Sequence, residues 1–199
     1  MKGQIGVFRY FCSANQLKSQ IMADRLTPQQ RHHCMSSIRA TSTKPELKLR
    51  KELWRRGYRY RVNDKRFAGT PDLVLPKYRT AIFVHGCFWH GHKGCKTYVV
   101  PKTNTSFWVE KITRNQQRDE DVWRQLEAKG WYVVVVWECE LTKKNFDSTI
   151  SRVEKEIRAN GAAYLRSKEE RALNRQQHAF ERREQKERHN RLLSEIKHK

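Results

Sequence analysis

The stretch Trp131-Tyr132-Val133-Val134-Val135-Val136-Trp137 decides the fold class. Four consecutive valines between aromatics follow neither a helical period nor a strict alternation. Such a run is expected of a central strand covered on both faces. Immediately upstream, Thr105 to Lys129 reads as a long helix, with Thr105 or Ser106 as its cap and Gly130 as its terminator. Further upstream, Thr80–His85 is apolar and β-branched, and Asp72–Leu75 leads into it through a turn at Pro76–Arg79, which is the pattern of a hairpin. Tyr58–Val62 alternates like a strand, and Lys65–Thr70 is a loop. Pro45 suits the first position of a helix carrying Leu47, Leu49, Leu53 and Trp54, with Gly57 as its stop. Thr27 to Lys44 reads as a short helix and a turn. Helix, strands, long helix, strand and helix together give an α/β core with a mixed sheet.

Composition bounds the partner. Lys and Arg number 42 against 21 Asp and Glu, for a formal net charge of +21. Phosphate neutralisation with counterion release makes nucleic acid the favoured polyanion. Adhesion to anionic lipid is the alternative reading of charge alone. No apolar run approaches the ~20 residues of a membrane span, so no membrane partner is expected. Five cysteines are an odd count for a disulfide framework, and three of them keep company with His or Glu, which suits a reducing compartment and metal ligation. The start lacks a signal-peptide layout, and Met22 opens a more ordinary Met-Ala-Asp beginning. The expected organisation is an extension at 1–21 without order, an arm at 22–44, a core domain at 45–160 and a basic helical tail at 161–199. Residues 166–199 hold 11 Lys or Arg and six Asp or Glu, either an arm for nucleic acid or a solvated charged tail.

The chemistry concentrates in H-G-C-F-W-H-G-H-K-G-C (85–95). Cys87, His92 and Cys95 form C-x4-H-x2-C, and Cys139, just past the strand at 131–137, is the candidate fourth ligand for tetrahedral zinc. Four protein ligands close the site, so this zinc is structural, and a zinc hydrolase is disfavoured. Buried thiols are the alternative, and for Cys12 and Cys34 they are the preferred reading. Asp72, at the mouth of a hairpin strand, lies where a hard carboxylate can hold magnesium near His85 and His90. Glu46, in the first turn of its helix, either reaches the same pocket or stabilises the helix dipole. Asp119 either orients a histidine or makes a surface salt bridge. Phe88 and Trp89 either wedge between bases or pack in the core.

The sum of these pieces resembles the very-short-patch repair (Vsr) DNA mismatch endonucleases. The resemblance is carried by M-S-S-I-R-A (35–40), P-E-L-K-L-R (45–50), G-T-P-D-L-V (69–74), V-H-G-C-F-W-H-G-H-K-G-C (84–95), P-K-T-N (101–104), F-W-V-E-K-I (107–112), N-Q-Q-R-D (115–119) and V-V-W-E-C-E-L (135–141). It implies a restriction-endonuclease-like three-layer core, a mixed central sheet flanked by helices, and a structural zinc on Cys87, His92, Cys95 and Cys139. It implies a magnesium-dependent nick 5′ to the thymine of a T:G mismatch left by deaminated 5-methylcytosine. Asp72 matches the magnesium carboxylate, assisted by the main-chain carbonyl of Val84. His90 matches the general base, Asp119 its support, His85 a contact to the reacting phosphate, and Glu46 an N-terminal acidic position. Phe88, Trp89 and Trp108 match residues that wedge between base pairs from the major groove, and Met35, with the 22–44 arm, from the minor groove. The restriction-nuclease Glu-x-Lys is absent, since Phe83-Val84-His85 occupies that strand. The expected setting is a bacterial cytoplasmic, nucleoid-associated monomer that acts on T:G-mismatched duplex DNA and hands it to downstream repair proteins. A non-catalytic zinc-containing DNA-binding module is the competing reading.

Overall fold

The computed structural model describes residues 21, 22, 27, 29, 30 and 41–197. The expectations for Met35, Cys12 and Cys34, and most of those for the segments 1–21 and 22–44, lie outside the described residues. Helix α1 spans Lys44–Arg55 with Pro45 in its first turn, as its sequence predicts, and ends with the Gly57 N–H on the Trp54 carbonyl. The other elements are strands β1 (Ile21–Met22), β2 (Arg61–Val62), β3 (Leu73–Leu75), β4 (Thr80–His85), β5 (Val100–Pro101) and β6 (Tyr132–Trp137), with helices α2 (Thr105–Ala128) and α3 (Phe146–Lys197). Strands β1 and β5 form a small parallel pair of their own.

The main sheet runs β2-β3-β4-β6. The β2–β3 and β3–β4 pairs are antiparallel, and β3–β4 is the expected hairpin. Strand β6 returns parallel to β4 through α2, in register from Thr80 opposite Tyr132 to His85 opposite Trp137. Period-two alternation divides the apolar side chains between two layers. Leu73, Leu75, Ile82, Val134 and Val136 face α1 and α3, meeting Leu49, Leu53, Ile150, Val153 and Ile157. Val74, Ala81 and Phe83 face α2, meeting Val122 and Leu126. The chain is thus an α/β protein with a mixed sheet flanked by helices. Ile82 is fully buried on the first face, so truncating it to alanine costs about 2–5 kcal/mol.

Three sequence expectations are corrected. The valine run is not central: among the described residues β6 pairs only with β4 and lies at the sheet edge. Its apolarity reflects cover by α2 on one side and α3 on the other, a property that a doubly covered edge strand shares with a central one. Tyr58–Val62 forms a strand only at Arg61–Val62, because Tyr58 turns into the core and the Tyr60 hydroxyl donates to the Arg50 carbonyl. Helix α2 is capped by Asn104, with φ 53°, and not by Thr105 or Ser106; the Thr105 hydroxyl instead donates to the carbonyls of Pro101 and Lys102. Helix α3 runs unbroken from the core into the 161–199 segment, with Gly161 its last buried residue among those described.

Candidate active site and metal centre

The parallel pair β4–β6 ends at His85 and Trp137, and open α/β sheets place their ligands at such strand ends. The 86–95 loop is wound tightly there: the His90 N–H donates to the Gly86 carbonyl at 3.2 Å, and the His92 N–H to the Cys87 carbonyl at 2.9 Å. One face of α2 fastens the loop from outside. The Asn115 side-chain amide donates to the Trp89 carbonyl (2.9 Å) and that of Gln116 to the His90 carbonyl (3.2 Å). Gly91, at φ 63°, is pressed so close that an added Cβ would sit 2.5 Å from the Gln116 amide nitrogen. Gly69 plays the same part before Asp72, with Val122 2.5 Å from its absent Cβ. From β6 the Glu138 carboxylate accepts the Cys87 N–H at 3.0 Å.

His90 Nδ1 lies 2.5 Å from Asp119 Oδ2, so the salt bridge of Asp119 is made to a histidine, as an orienting carboxylate requires. An ionised Asp119 keeps the proton on Nδ1 and leaves Nε2 with a free lone pair. The His85 ring stacks on His90 at 3.8 Å between centroids, with Trp123 on a near-parallel plane at 5.9 Å. Burial, then the neighbouring His90, push His85 down to about 3, so it is neutral at physiological pH; its Nδ1 is buried without a hydrogen-bond partner among the described residues. The ligating atoms of His85, His90 and Asp119 lie within 4.8 Å of one another.

Asp72 stands just ahead of β3, and its Oδ2 accepts the Val84 N–H at 2.7 Å. Burial raises its carboxyl to about 6; the Val84 N–H opposes that, and the nearby Glu46 charge adds to it. Asp72 is outside the mutual His85–His90–Asp119 group. Glu46 is buried, with its oxygens on the N–H groups of Ser42 (2.8 Å) and Thr43 (3.2 Å), the Thr43 hydroxyl (2.7 Å) and Arg50 (2.9 Å). Of the two readings left open for it, this geometry is that of a helix-start cap. Arg50 ties that cap to the site, approaching Asn63 at 3.2 Å and the Asp72 carbonyl at 3.4 Å.

Cys87, His92, Cys95 and Cys139 converge, with all four donor atoms within 4.8 Å of one another. His92 Nδ1 is 3.4 Å from both Cys87 Sγ and Cys139 Sγ. Tetrahedral zinc, with bonds of about 2.3 Å to sulfur and 2.0 Å to nitrogen, separates those ligand types by about 3.5 Å, so the donor set fits the ion. Burial pushes the Cys87 and Cys139 thiols up, whereas at Cys95 hydrogen bonds with Thr97 and the neighbouring cysteines outweigh burial and hold the thiol down. Trp137 stacks flat on His92, 4.1 Å away and 3° from parallel.

Phe88, Trp89 and Trp108 form an edge-to-face cluster with centroids 5.1–6.1 Å apart. Phe88 and Trp89 are half-buried, whereas Trp108 is 8% exposed and sits beneath them. The exposed Phe107 packs on Trp108, and Lys111 Nζ lies 5.3 Å above the Trp89 ring. The sequence reading passed over Arg50, Asn115, Gln116, Glu138 and the stacking of Trp123 and Trp137. On α2, Asn115 and Gln116 precede Asp119 by four and three residues and share its helical face.

A carboxylate and a carboxylate-bound histidine at one end of the sheet, on a strongly basic chain, are a constellation that a nuclease acting on DNA could use. A family model described as DNA mismatch endonuclease Vsr matches residues 23–96. The type II nicking enzyme V.NmeAIP of Neisseria meningitidis (serogroup A) is 51% identical over 123 residues, covering 62% of this chain and 87% of the relative. The type II nicking enzyme V.XorIIP of Xanthomonas oryzae pv. oryzae is 46% identical over 121 residues, 61% of this chain and 88% of the relative. DNA mismatch endonuclease Vsr of Escherichia coli K12 is 39% identical over 145 residues, 71% of this chain and 92% of the relative. The chain belongs to the Vsr family of DNA mismatch endonucleases.

Proposed function

We propose that this endonuclease nicks one strand of duplex DNA 5′ to the thymine of a T:G mismatch by magnesium-dependent hydrolysis, on a restriction-endonuclease-like core. The observation that carries the reading is the placement, at one sheet end, of half-buried Asp72 on the Val84 N–H and of His90 held by Asp119. Asp72 and the main-chain carbonyl of Val84 would hold magnesium. A buried carboxyl raised to about 6 by desolvation is a group that a cation would return to its ionised state. The N–H and C=O of one strand residue face the same edge, so the Val84 carbonyl faces the side on which its N–H meets Asp72. When bound, the ion stabilises charge building on the phosphoryl oxygens.

The chain's own residues do the rest. His90 Nε2 accepts the proton of the attacking water while Asp119 holds the opposite nitrogen. His85, neutral and packed between His90 and Trp123, contacts the reacting phosphate without adding charge. Glu46 supports Asp72 through Arg50. Phe88 and Trp89 enter the stack beside the mismatch on the base that Trp108 provides, and Met35 approaches from the minor groove; a mispaired step is the least costly to open. Zinc on Cys87, His92, Cys95 and Cys139 braces the loop. This reading implies downstream repair proteins that process the nick, a monomeric enzyme, and work at the bacterial nucleoid; no described helix is long and apolar enough to cross a membrane.

The test is a nicking assay on T:G duplex with each strand separately end-labelled. The expected result is magnesium-dependent cleavage of the thymine strand, abolished in Asp72→Ala. Full activity in that variant or without divalent metal refutes the assignment. Mismatch binding without cleavage in any divalent metal returns the chain to a non-catalytic zinc-containing DNA-binding module.

A further inference from the structure

Helix α3 leaves the core at the sheet end opposite the active site. Gly161 packs against Tyr78, and the Asn160 amide donates to the Thr80 hydroxyl at 3.3 Å. Thr80 begins β4 and His85 ends it, so the two ends are about 17 Å apart at 3.3–3.4 Å per residue. Beyond Gly161 the helix runs outward, and from Ala162 to Arg188 its side chains are exposed apart from Ala163, Tyr164, Ser167, Ala172 and Ala179, which are half-buried.

Its charges are sorted by face. At about 100° per residue, Lys168, Arg171, Arg175, Arg182 and Lys186 fall, with Tyr164 and His178, within an arc of about 80°. Their steps of three and four residues repeat along one line. Glu169, Glu170, Glu181, Glu184 and Glu187 occupy the opposite arc of about 120°, together with Arg166 and Arg188, and Arg183 lies between the two, so the stripe is the acid-free face. Arg188 and His178 approach carboxylates, at 4.0 and 3.4 Å, but among the described residues none of the five stripe cations forms an ion pair. At its base the stripe continues into Arg79, whose guanidinium lies 5.7 Å from the Tyr164 ring centroid. A solvated helix needs no such sorting: i,i+4 pairing would mix the signs around the cylinder.

We propose that this stripe is a second DNA-binding surface, gripping duplex phosphates away from the nicking centre and without regard to mismatch. From Tyr164 to Lys186 it spans about 33 Å at 1.5 Å per residue, close to one turn of B-DNA at ~34 Å. The cations recur at about 4.5–6 Å, on the scale of successive phosphates, apart from a gap of about 10.5 Å between Arg175 and Arg182 in which His178 falls. Duplex DNA is the occupant favoured by charge, because this family acts on it and it carries unbroken negative charge. The stripe points away from the nicking centre, so it holds a different DNA segment, raising the local concentration of duplex while the catalytic end searches.

The test uses the full chain and a matched duplex without magnesium, so it does not depend on nicking. Fluorescence anisotropy gives the affinity as a function of salt. Neutralising three stripe residues (Arg171→Gln, Arg175→Gln, Arg182→Gln) is expected to lower the log–log salt slope by about 3, at ~0.9 per phosphate contact. A charge-swapped variant (Glu170→Arg, Arg171→Glu, Glu181→Arg, Arg182→Glu) keeps the net charge but breaks the stripe, and it is expected to lower the slope by about 2 or more. Both should nick a short T:G duplex at the wild-type kcat and keep the wild-type metal content. An unchanged slope in both variants overturns the proposal. So does a loss confined to the neutralised variant, which would mean that only net charge matters. A dimer seen by sedimentation and abolished by the swap, with the slope unchanged, assigns the stripe to self-association and also overturns it. If the slopes fall but no T:G duplex is ever nicked, the stripe stands and the catalytic reading fails.

Discussion

Replacing Asp72 with asparagine separates the cost of the proposed magnesium ligand from its use. The carboxyl is raised from an ordinary value of 3.8 to about 6, burial being the largest cause. The folded protein therefore holds a proton that the unfolded chain has released between about pH 4 and 6. Stability falls as pH rises through that window, and above about pH 7 the full penalty is present. Roughly two pH units at 1.36 kcal/mol each make it about 3 kcal/mol. Asparagine cannot ionise, yet its side-chain oxygen still accepts the Val84 N–H that Asp72 accepts at 2.7 Å. Asp72→Asn is thus expected to stabilise the magnesium-free protein at pH 8 by about 2–3 kcal/mol, or roughly 4–10 °C in Tm for a domain of this size. At pH 4 the two proteins should melt together. Added magnesium should narrow the pH 8 gap by stabilising the wild type alone, and nicking should be lost. Calorimetry of both proteins across pH 4–8, with and without magnesium, provides the check. A variant that is less stable at pH 8, or a gap independent of pH, refutes the argument that burial of this charge sets its pKa.

Asp119→Asn should leave DNA affinity within a fewfold of wild type but lower kcat by about 10²–10⁴, because His90 loses the partner fixing its tautomer; single-turnover nicking reads this, and an unchanged rate removes Asp119 from the mechanism. Cys139→Ala is expected to release the bound zinc and to lower stability by several kcal/mol, seen by elemental analysis and thermal melting; full retention of zinc would show that the fourth ligand lies elsewhere. Trp89→Ala, at a half-buried ring, should cost about 1–3 kcal/mol in mismatch preference with matched-duplex affinity unchanged; equal losses on both duplexes would make the ring a general contact and not a wedge.

What was legible in the sequence follows from how local each signal is. The α1 start, the β3–β4 hairpin and the convergence of Cys139 on the 87–95 loop rest on short-range turn chemistry and on one strand register, His85 opposite Trp137. The edge position of β6 was illegible because α2 and α3 pack on its two faces, and an edge strand covered that way carries the same apolar run as a central one. Glu46 illustrates the other limit. A first-turn glutamate signals a cap and an acid equally well, and only the count of partners on its two oxygens separates them. Asn115 and Gln116 were hidden for a similar reason. Side-chain amides that donate to backbone carbonyls have no composition signature, and their role appears only once α2 is known to cross the 86–91 loop.

That crossing explains why one short loop can carry three kinds of chemistry. Ordering the ten residues from Gly86 to Cys95 costs on the order of 10–20 kcal/mol in backbone entropy. Little apolar burial offsets it, since Cys87 alone in the loop is a fully buried hydrophobic residue. The bonds from Asn115, Gln116 and Glu138 contribute about 1 kcal/mol each, with more from the Asp119–His90 pair. The proposed tetrahedral zinc would contribute an apparent ~10–16 kcal/mol, the size that the remainder requires. Its proposed ligands alternate with the other residues of the loop: His90 stands two positions before His92, and Phe88 directly follows Cys87. A metal fixed on 87, 92 and 95 would therefore limit the travel of His90 and Trp89 to what a single turn allows, a physical reason for the proposed brace and the proposed catalytic histidine to share the same eleven residues.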